Sequence, residues 1–383
     1  MHTPLNRRRW LSQAGALGLG AAAWRALAQQ AANGTGPILI GQSAHLTGPL
    51  AATMTGVVAG QKLAIAEFNA KGGVGGRKVQ MITLDDAYDP KKCVENVTKL
   101  IEQEKVTALY GLASTANVAA VLPLIAEKQV PLVGVYTGAP ALRMKQNPFF
   151  FTTAASYRDE VVQMVRNLKT TLRDNIALVY MNNPFGQLMV PIVEEVVKEQ
   201  GATLVAKAPL EANGSNAAAA AQALAAGKPQ AVIFMAFGPS LVAFVKAARA
   251  YLGVPVYAVS VSNSKTILDA LGDDARGLAI TPVAPNPWKT TTGLGRDFNK
   301  VMEKAKLPID YDHFYGYMNL RVLLEALKRA GKAVTPQSLV QTMETQMSKV
   351  DLGGYTVSYG PTNHHGSSFV DIMIVGPGGR FIR

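Results

Sequence analysis

From Ile38 onward, short apolar runs alternate with longer stretches whose apolar residues recur every three to four positions, the pattern of strands alternating with amphipathic helices. Ile38-Leu39-Ile40 reads as a buried strand. A polar loop follows (Ser43, His45, Thr47, Gly48, Pro49), then a helix carrying Val57, Gly60, Ala64 and Phe68 on one face. That helix stops at Lys71-Gly72-Gly73. Residues 79–84 form a strand ending in Asp85-Asp86, and Asp89-Pro90 opens the next helix. Strand 108–110 runs through Gly111 to Ser114-Thr115 and another helix. Pro131 opens a strand ending at Tyr136-Thr137-Gly138, and 149–153 is a strand with no turn signal after it, which suits a crossing between lobes.

The pattern then restarts. Val161, Val165 and Leu168 mark a helix, 176–180 a strand, 182–186 a loop, and Met189, Val193 and Val196 a helix. The Ala-rich run 217–226 is a surface helix. Strand 231–235 leads through Phe237-Gly238-Pro239-Ser240 to another helix, and strand 256–259 ends in a Ser/Asn cluster, 260–264. A strand over 278–283 crosses back before helices near 297–306 and 311–329. The tail, around 353–355, 358–366 and 369–375, reads as antiparallel strands. Alternation of this kind predicts an α/β protein of two similar lobes with parallel central sheets and right-handed crossovers. The expected boundaries are 37–152 plus 281–352 for the first lobe, and 153–280 plus 353–383 for the second. Ligands of open α/β sheets collect at the carboxyl ends of strands, which singles out Ser114, Thr137 and Phe185.

A hydrophobic fraction of 48% with 17% charged residues describes a globular chain, and 383 residues suffice for two domains. The net charge of +12 overstates the basicity of the fold, because Arg7, Arg8, Arg9 and Arg25 lie in the first 28 residues, which contain no acid. The remaining +8 is scattered without a basic run, so no nucleic-acid partner is expected. Residues 1–28 read as an export signal: Arg7-Arg8-Arg9-Trp10-Leu11, an apolar run over 14–23 too short to span a bilayer, and Ala26-Leu27-Ala28 before the cut. The paired arginines resemble a twin-arginine signal, with general secretion as the alternative. The expected location is the periplasm, with cleavage near Ala28.

Candidate chemistry is sparse. Cys93 is the single cysteine, at an apolar spacing with Val97 and Leu100, and reads as a packed thiol. Gly72 to Gly76 follows a helix and lacks a Gly-Lys-Ser/Thr, so it is a turn and not a phosphate loop. Asp85-Asp86 reads as a strand-end loop anchor, and His364-His365 as a solvated loop, so neither metal nor cofactor is expected. His45 either lines a ligand site or caps its loop. Ser114 and Thr137 are N-caps that leave other N–H groups free for a ligand. Phe185 and Phe237 sit beside glycines in loops, as cleft aromatics do, and Trp288 packs a connection.

Thr47-Gly48-Pro49-Leu50-Ala51-Ala52, the stretch from Phe68 to Arg77, Asp85-Asp86-Ala87-Tyr88-Asp89-Pro90 and Pro184-Phe185-Gly186 resemble the periplasmic leucine/isoleucine/valine-binding family, solute receptors of ABC importers. The resemblance runs from Pro37 to about Ile374. It implies two Rossmann-like lobes joined by three crossing segments and closing over a ligand (the type I periplasmic binding fold), with an ABC permease and ATPase as partners, a monomeric receptor and no enzymatic activity. A sensor reporting to a membrane signalling partner is the alternative, and an exported hydrolase stands behind it. Carried over by position, Ser114 and Thr115 at the helix start and Thr137 hold a ligand carboxylate, and Val135 offers a backbone carbonyl to an ammonium. Thr53 stands where amino-acid binders place a tyrosine, Phe185 and Phe237 where the second lobe places aromatics. The family's ammonium-pairing glutamate is replaced by Ser260-Val261-Ser262, with no acid expected nearby, and Ser262 is the cleft candidate there. That departure shifts the expected ligand from an amino acid toward a carboxylate without the amine, aromatic or aliphatic. Tyr88 and Ala113 stand where the family has a disulfide.

Overall fold

The computed structural model describes residues 36–382 apart from 49, 145, 263 and 378–380, and the export-signal reading of 1–28 lies outside them. The first half lays down β1 (Ile38–Ala44), α1 (Ala51–Ala70), β2 (Val79–Asp85), α2 (Pro90–Glu102), β3 (Ala108–Tyr110), α3 (Thr115–Lys128), β4 (Leu132–Val133) and β5 (Phe150–Phe151). These strands pair in parallel in the order β2-β1-β3-β4-β5. The second half repeats the scheme with α4 (Tyr157–Thr170), β6 (Asn175–Met181), α5 (Pro184–Glu199), β7 (Thr203–Leu210), α6 (Ala217–Ala225), β8 (Ala231–Met235), α7 (Pro239–Tyr251), β9 (Val256–Val259), α8 (Lys265–Leu271) and β10 (Ala279–Thr281). Its parallel order, β7-β6-β8-β9-β10, is the first sheet's order again. Each sheet therefore reverses direction between its first and third strands, at β1/β3 and β6/β8, where a crevice opens at the strand ends.

The chain then returns to the first lobe with α9 (Gly293–Ala305), α10 (Tyr311–Ala330), α11 (Pro336–Gln346) and the hairpin β11 (Val350–Asp351) with β12 (Thr356–Val357). It ends in the second sheet with β13 (Met373–Val375), antiparallel to β10, and β14 (Phe381–Ile382). Three strands of chain thus join two lobes, side by side: Thr152 N donates to the His364 carbonyl at 2.9 Å, and Asp371 N to the Pro282 carbonyl at 3.1 Å. Within the first lobe α1 and α10 cross at glycines. A Cβ on Gly60 would lie 1.9 Å from the His313 carbonyl oxygen, and one on Gly316 2.0 Å from that of Val57. Only glycine allows that approach.

Several expectations need correction. Tyr355, Val357 and Tyr359, placed in the second lobe from sequence, are buried with Phe151, Leu323 and Met343 of the first. His364 is not solvated: it is buried, stacks on Phe151 at 4.0 Å and pairs with Glu344 at 3.0 Å. Strand β7 and helix α11 were not read at all. Strand β7 is an edge strand that alternates cleanly only at its end, with Lys207 and Pro209 exposed between buried Ala208 and Leu210. Helix α6 does bury one face, through Ala217, Ala220, Ala221 and Leu224. Cys93 is fully buried, and burial pushes its thiol up to about 12. Trp288 packs edge-on against Tyr311 at 5.6 Å.

Candidate functional site

All four loops at the two switch points converge on one cavity of about 300 Å³ between the lobes. Leu50 reaches it from the loop after β1, Ser114 and Thr115 from the one after β3, Asn183 and Phe185 from the one after β6, and Phe237 from the one after β8. Tyr88, Tyr136, Thr137 and Tyr157 complete the wall.

Local sequence explains how Tyr88 gets there. Ala87 and Tyr88 both take positive φ, 51° and 69°, a conformation that side-chain-bearing residues avoid. The preceding carboxylates hold it. Asp85 accepts hydrogen bonds from the N–H groups of Leu46, Thr47 and Ala87 and from Thr47 Oγ1. Burial works against its charge, but these donors bring it down to about 2. Asp86, fully buried, accepts from Ser43 Oγ at 2.7 Å and Tyr88 N at 3.1 Å, and meets His45 Nδ1 at 2.5 Å. Burial raises its pKa and the contact with His45 outweighs it, so Asp86 is held below its ordinary value. The Asp85-Asp86 pair is therefore the loop anchor expected.

On the opposite wall, Asn183 caps α5 by accepting from Gly186 N at 3.0 Å, which sets Phe185 in the first helical turn facing the cavity. Phe185 lies 5.3 Å from Tyr157 and 5.6 Å from Phe237, ring centre to ring centre. Tyr157 itself is fixed by the capping box of Ser156 and Asp159 at the start of α4.

Of the residues singled out in the sequence, Ser114, Thr115, Thr137, Phe185 and Phe237 line the cavity together. Thr115 Oγ1 and Thr137 Oγ1 are 3.0 Å apart. The other four are not among the lining residues. Thr53 is buried on the first turn of α1, and the wall there is formed by Leu50 instead. The Val135 side chain packs into the core. Ser262 is buried and donates to the Ala236 carbonyl at 2.8 Å, leaving Val261 to face the cavity. His45 takes the second of its two readings: it holds its loop through Asp86, and its ring supports Tyr88 at 4.7 Å.

The statement that no acid lies near Ser260 is overturned by the structure. Glu160, delivered by α4, accepts from Ser260 N and Ser260 Oγ at 2.7 Å each and from Thr281 Oγ1 at 2.6 Å. It is fully buried, and burial pushes its carboxyl up to about 7 despite those donors. Glu160 borders a narrower space of about 30 Å³, roughly one water, that shares Tyr136, Thr137 and Tyr157 with the main cavity. Asp312 borders it too, raised to about 7 by burial and by neighbouring Asp310, and bonded to Ser264 at 3.3 Å across the lobes. Sequence reasoning missed Tyr88, Tyr136 and Tyr157 as lining residues, although Tyr88 and Tyr136 adjoin the strand-end motifs it used. Among the described residues, no cluster of three or more His, Cys, Asp or Glu is placed to hold a metal ion.

The family model described as periplasmic binding protein matches residues 37–380. The chain belongs to this family. As a periplasmic binding protein it is similar to Leu/Ile/Val-binding protein homolog 7 of Brucella suis biovar 1 (strain 1330), 23% identical over 352 residues, which are 86% of each chain. It superposes on the extracellular ligand-binding receptor from Verminephrobacter eiseniae ef01-2 with a TM-score of 0.84 at 27% identity, covering 91% of this chain and all of the other (100%). A branched-chain amino acid ABC transporter protein from Thermus thermophilus with bound valine shares the fold, with a TM-score of 0.80 at 19% identity, over 90% of this chain and 94% of that one. The periplasmic binding protein architecture read from the sequence, two α/β lobes of type I topology, is thus the architecture of the chain.

Proposed function

We propose that this periplasmic binding protein is the extracytoplasmic solute receptor of an ABC importer, working in the periplasm without covalent chemistry. It closes on a small carboxylate or amino-acid-like ligand and presents it to a membrane permease and its ATPase. The observation that carries this reading is the single cavity fed by both lobes. The first lobe supplies hydroxyls at the start of α3, and the second supplies aromatic side chains. A ligand touching both lobes favours the closed arrangement, which is all that a transport receptor requires.

Within the cavity, Ser114, Thr115 and Thr137 together with the first N–H groups of α3 take the carboxylate, where the helix dipole favours an anion. Phe185 and Phe237 shape the opposite end. The similarity to a Leu/Ile/Val-binding protein homologue and to a branched-chain amino acid ABC transporter protein supports the transport class. Calorimetry of the purified protein against a panel of amino acids and carboxylates tests it. Binding is expected for at least one member and is expected to be lost in Ser114→Ala/Thr137→Ala; unchanged affinity in that double variant rejects the site.

A further inference from the structure

We propose that the ligand of this cavity is an aromatic monocarboxylate lacking an α-amino group, an inference that rests on the receptor reading above and narrows it. Three features of the wall converge on this class.

The first is the density of rings. Tyr88, Tyr136, Tyr157, Phe185 and Phe237 surround a space of about 300 Å³. Tyr157 and Phe185 meet edge to face (71° between planes), and Phe185 and Phe237 are tilted by 55°. This angled wall offers both ring edges and ring faces to a guest. An aromatic guest gains attraction from such geometry beyond the area it buries, whereas an aliphatic guest gains the area alone.

The second is the absence of charge. Among the described residues, no Asp, Glu, Lys, Arg or His lines the cavity. An ammonium there would be stripped of water without a countercharge. Glu160 does not supply one. It lines the adjoining narrow space together with Asp312, not the cavity itself, and three of its acceptor positions are filled by Ser260 N, Ser260 Oγ and Thr281 Oγ1. The Ser260 hydroxyl, which donates to that carboxylate, lines the narrow space and not the cavity, and it is a neutral acceptor without the countercharge an ammonium needs.

The third is that hydroxyl donors gather at one end only. Ser114, Thr115 and Thr137 cluster at the head of α3, with the Tyr88 hydroxyl in reach of Ser114 and the Tyr157 hydroxyl in reach of Thr137. A neutral set of hydroxyls and main-chain N–H groups accommodates one carboxylate. The opposite end, with Phe185, Leu188 and Phe237, has Asn183 as its polar residue, but that amide already bonds Gly186 N and Met181 Sδ and brings no charge for a second carboxylate.

Calorimetry with probes matched for side chain and differing in the amine decides the matter: 3-phenylpropionate against L-phenylalanine, and 4-methylpentanoate against L-leucine. The expected result is 3-phenylpropionate binding about tenfold or more tightly than both L-phenylalanine and 4-methylpentanoate. A smaller or reversed preference over L-phenylalanine overturns the missing amine, and one over 4-methylpentanoate overturns the aromatic class. Either result leaves a solute receptor standing. Should none of the probes bind to protein that unfolds cooperatively, the aromatic class falls, and the receptor reading falls with it only if no other member of the panel binds either. Phe237→Leu keeps an apolar wall but removes a ring, and it is expected to weaken 3-phenylpropionate more than 4-methylpentanoate; equal weakening of the two counts against the aromatic class.

Discussion

Ser114 stands between β3 and α3 with φ of 69° and ψ of 134°, and its side chain makes no capping hydrogen bond. A serine held there is strained by roughly 1–3 kcal/mol, and nothing within its own helix compensates for it. The strain turns the hydroxyl and the following N–H groups toward the cavity. Ser114→Gly separates the two roles, because glycine relaxes the backbone and removes the hydroxyl. Its unliganded stability in urea is expected to equal or exceed that of the parent by about 1 kcal/mol, while calorimetric affinity falls about tenfold, the scale of one hydrogen bond to a charged group. A variant that unfolds earlier in urea would show that the hydroxyl supports the fold and not the ligand. Residues of this kind were legible in the sequence because Ser114, Thr137, Phe185 and Phe237 follow strands directly, so a linear pattern locates them. Tyr157 was not, since it enters the cavity through the packing of α4 across the lobes. Glu160 was invisible for the same reason: it meets Ser260 from 100 positions away along the chain.

Elements were legible in proportion to how cleanly they bury one face. Helix α2, which buries Cys93, Val97, Leu100 and Ile101, and helix α9, which buries Leu294, Phe298 and Met302, appear where the apolar period puts them, whereas β7 is only partly buried over its first half and each strand of the hairpin β11–β12 is two residues long. Helix α4 is the element whose role the sequence hid most. Through Glu160 it ties the end of β9 and β10 to the start of the second lobe, beside the crossing segments. The sign of its effect on stability follows from proton linkage. The carboxyl titrates near 7 folded and near 4.3 unfolded, so between those values the folded form binds more protons and stability falls as pH rises. The contribution is absent below the unfolded pKa and complete above about 7, where it is on the order of 4 kcal/mol of lost stability. Asp312 adds to the same slope, and His313, raised chiefly by its hydrogen bond to Asp310, adds to it at the upper end. Asp85 and Asp86 titrate below this window. Urea unfolding at pH 5, 6 and 7 is therefore expected to show declining stability, with a shallower decline in Glu160→Gln, whose amide still accepts from Ser260 N and Thr281. Identical slopes in the two proteins would place the buried proton elsewhere.

At the scale of the whole molecule, the two sheets share one strand order and face each other across their switch points, so each lobe owns half of a binding site and neither owns a complete one. Phe237 already packs against the first-lobe group around Leu50 and Ala113, and Ser264 bonds Asp312 across the gap. One continuous apolar cluster also runs from Val118 and Leu132 of the first lobe through Tyr157 and Phe185 to Val193 and Ile233 of the second, so opening about the three crossing segments has to part an apolar seam as well as these two contacts. A solute shifts that equilibrium only through its additional contacts in the closed form. On the proposed reading, the second-lobe rings would provide those contacts, and the α3 hydroxyls would meet the ligand whether the lobes are open or closed. Small-angle X-ray scattering separates these contributions. The parent protein is expected to contract when saturated with the tightest of the calorimetric probes. Phe185→Ala/Phe237→Ala, saturated with the same probe at the higher concentration it needs, is expected to bind without the full contraction. Equal contraction in both proteins would mean that closure is driven from the first lobe alone, and no contraction in either would mean that the lobes are fixed relative to each other.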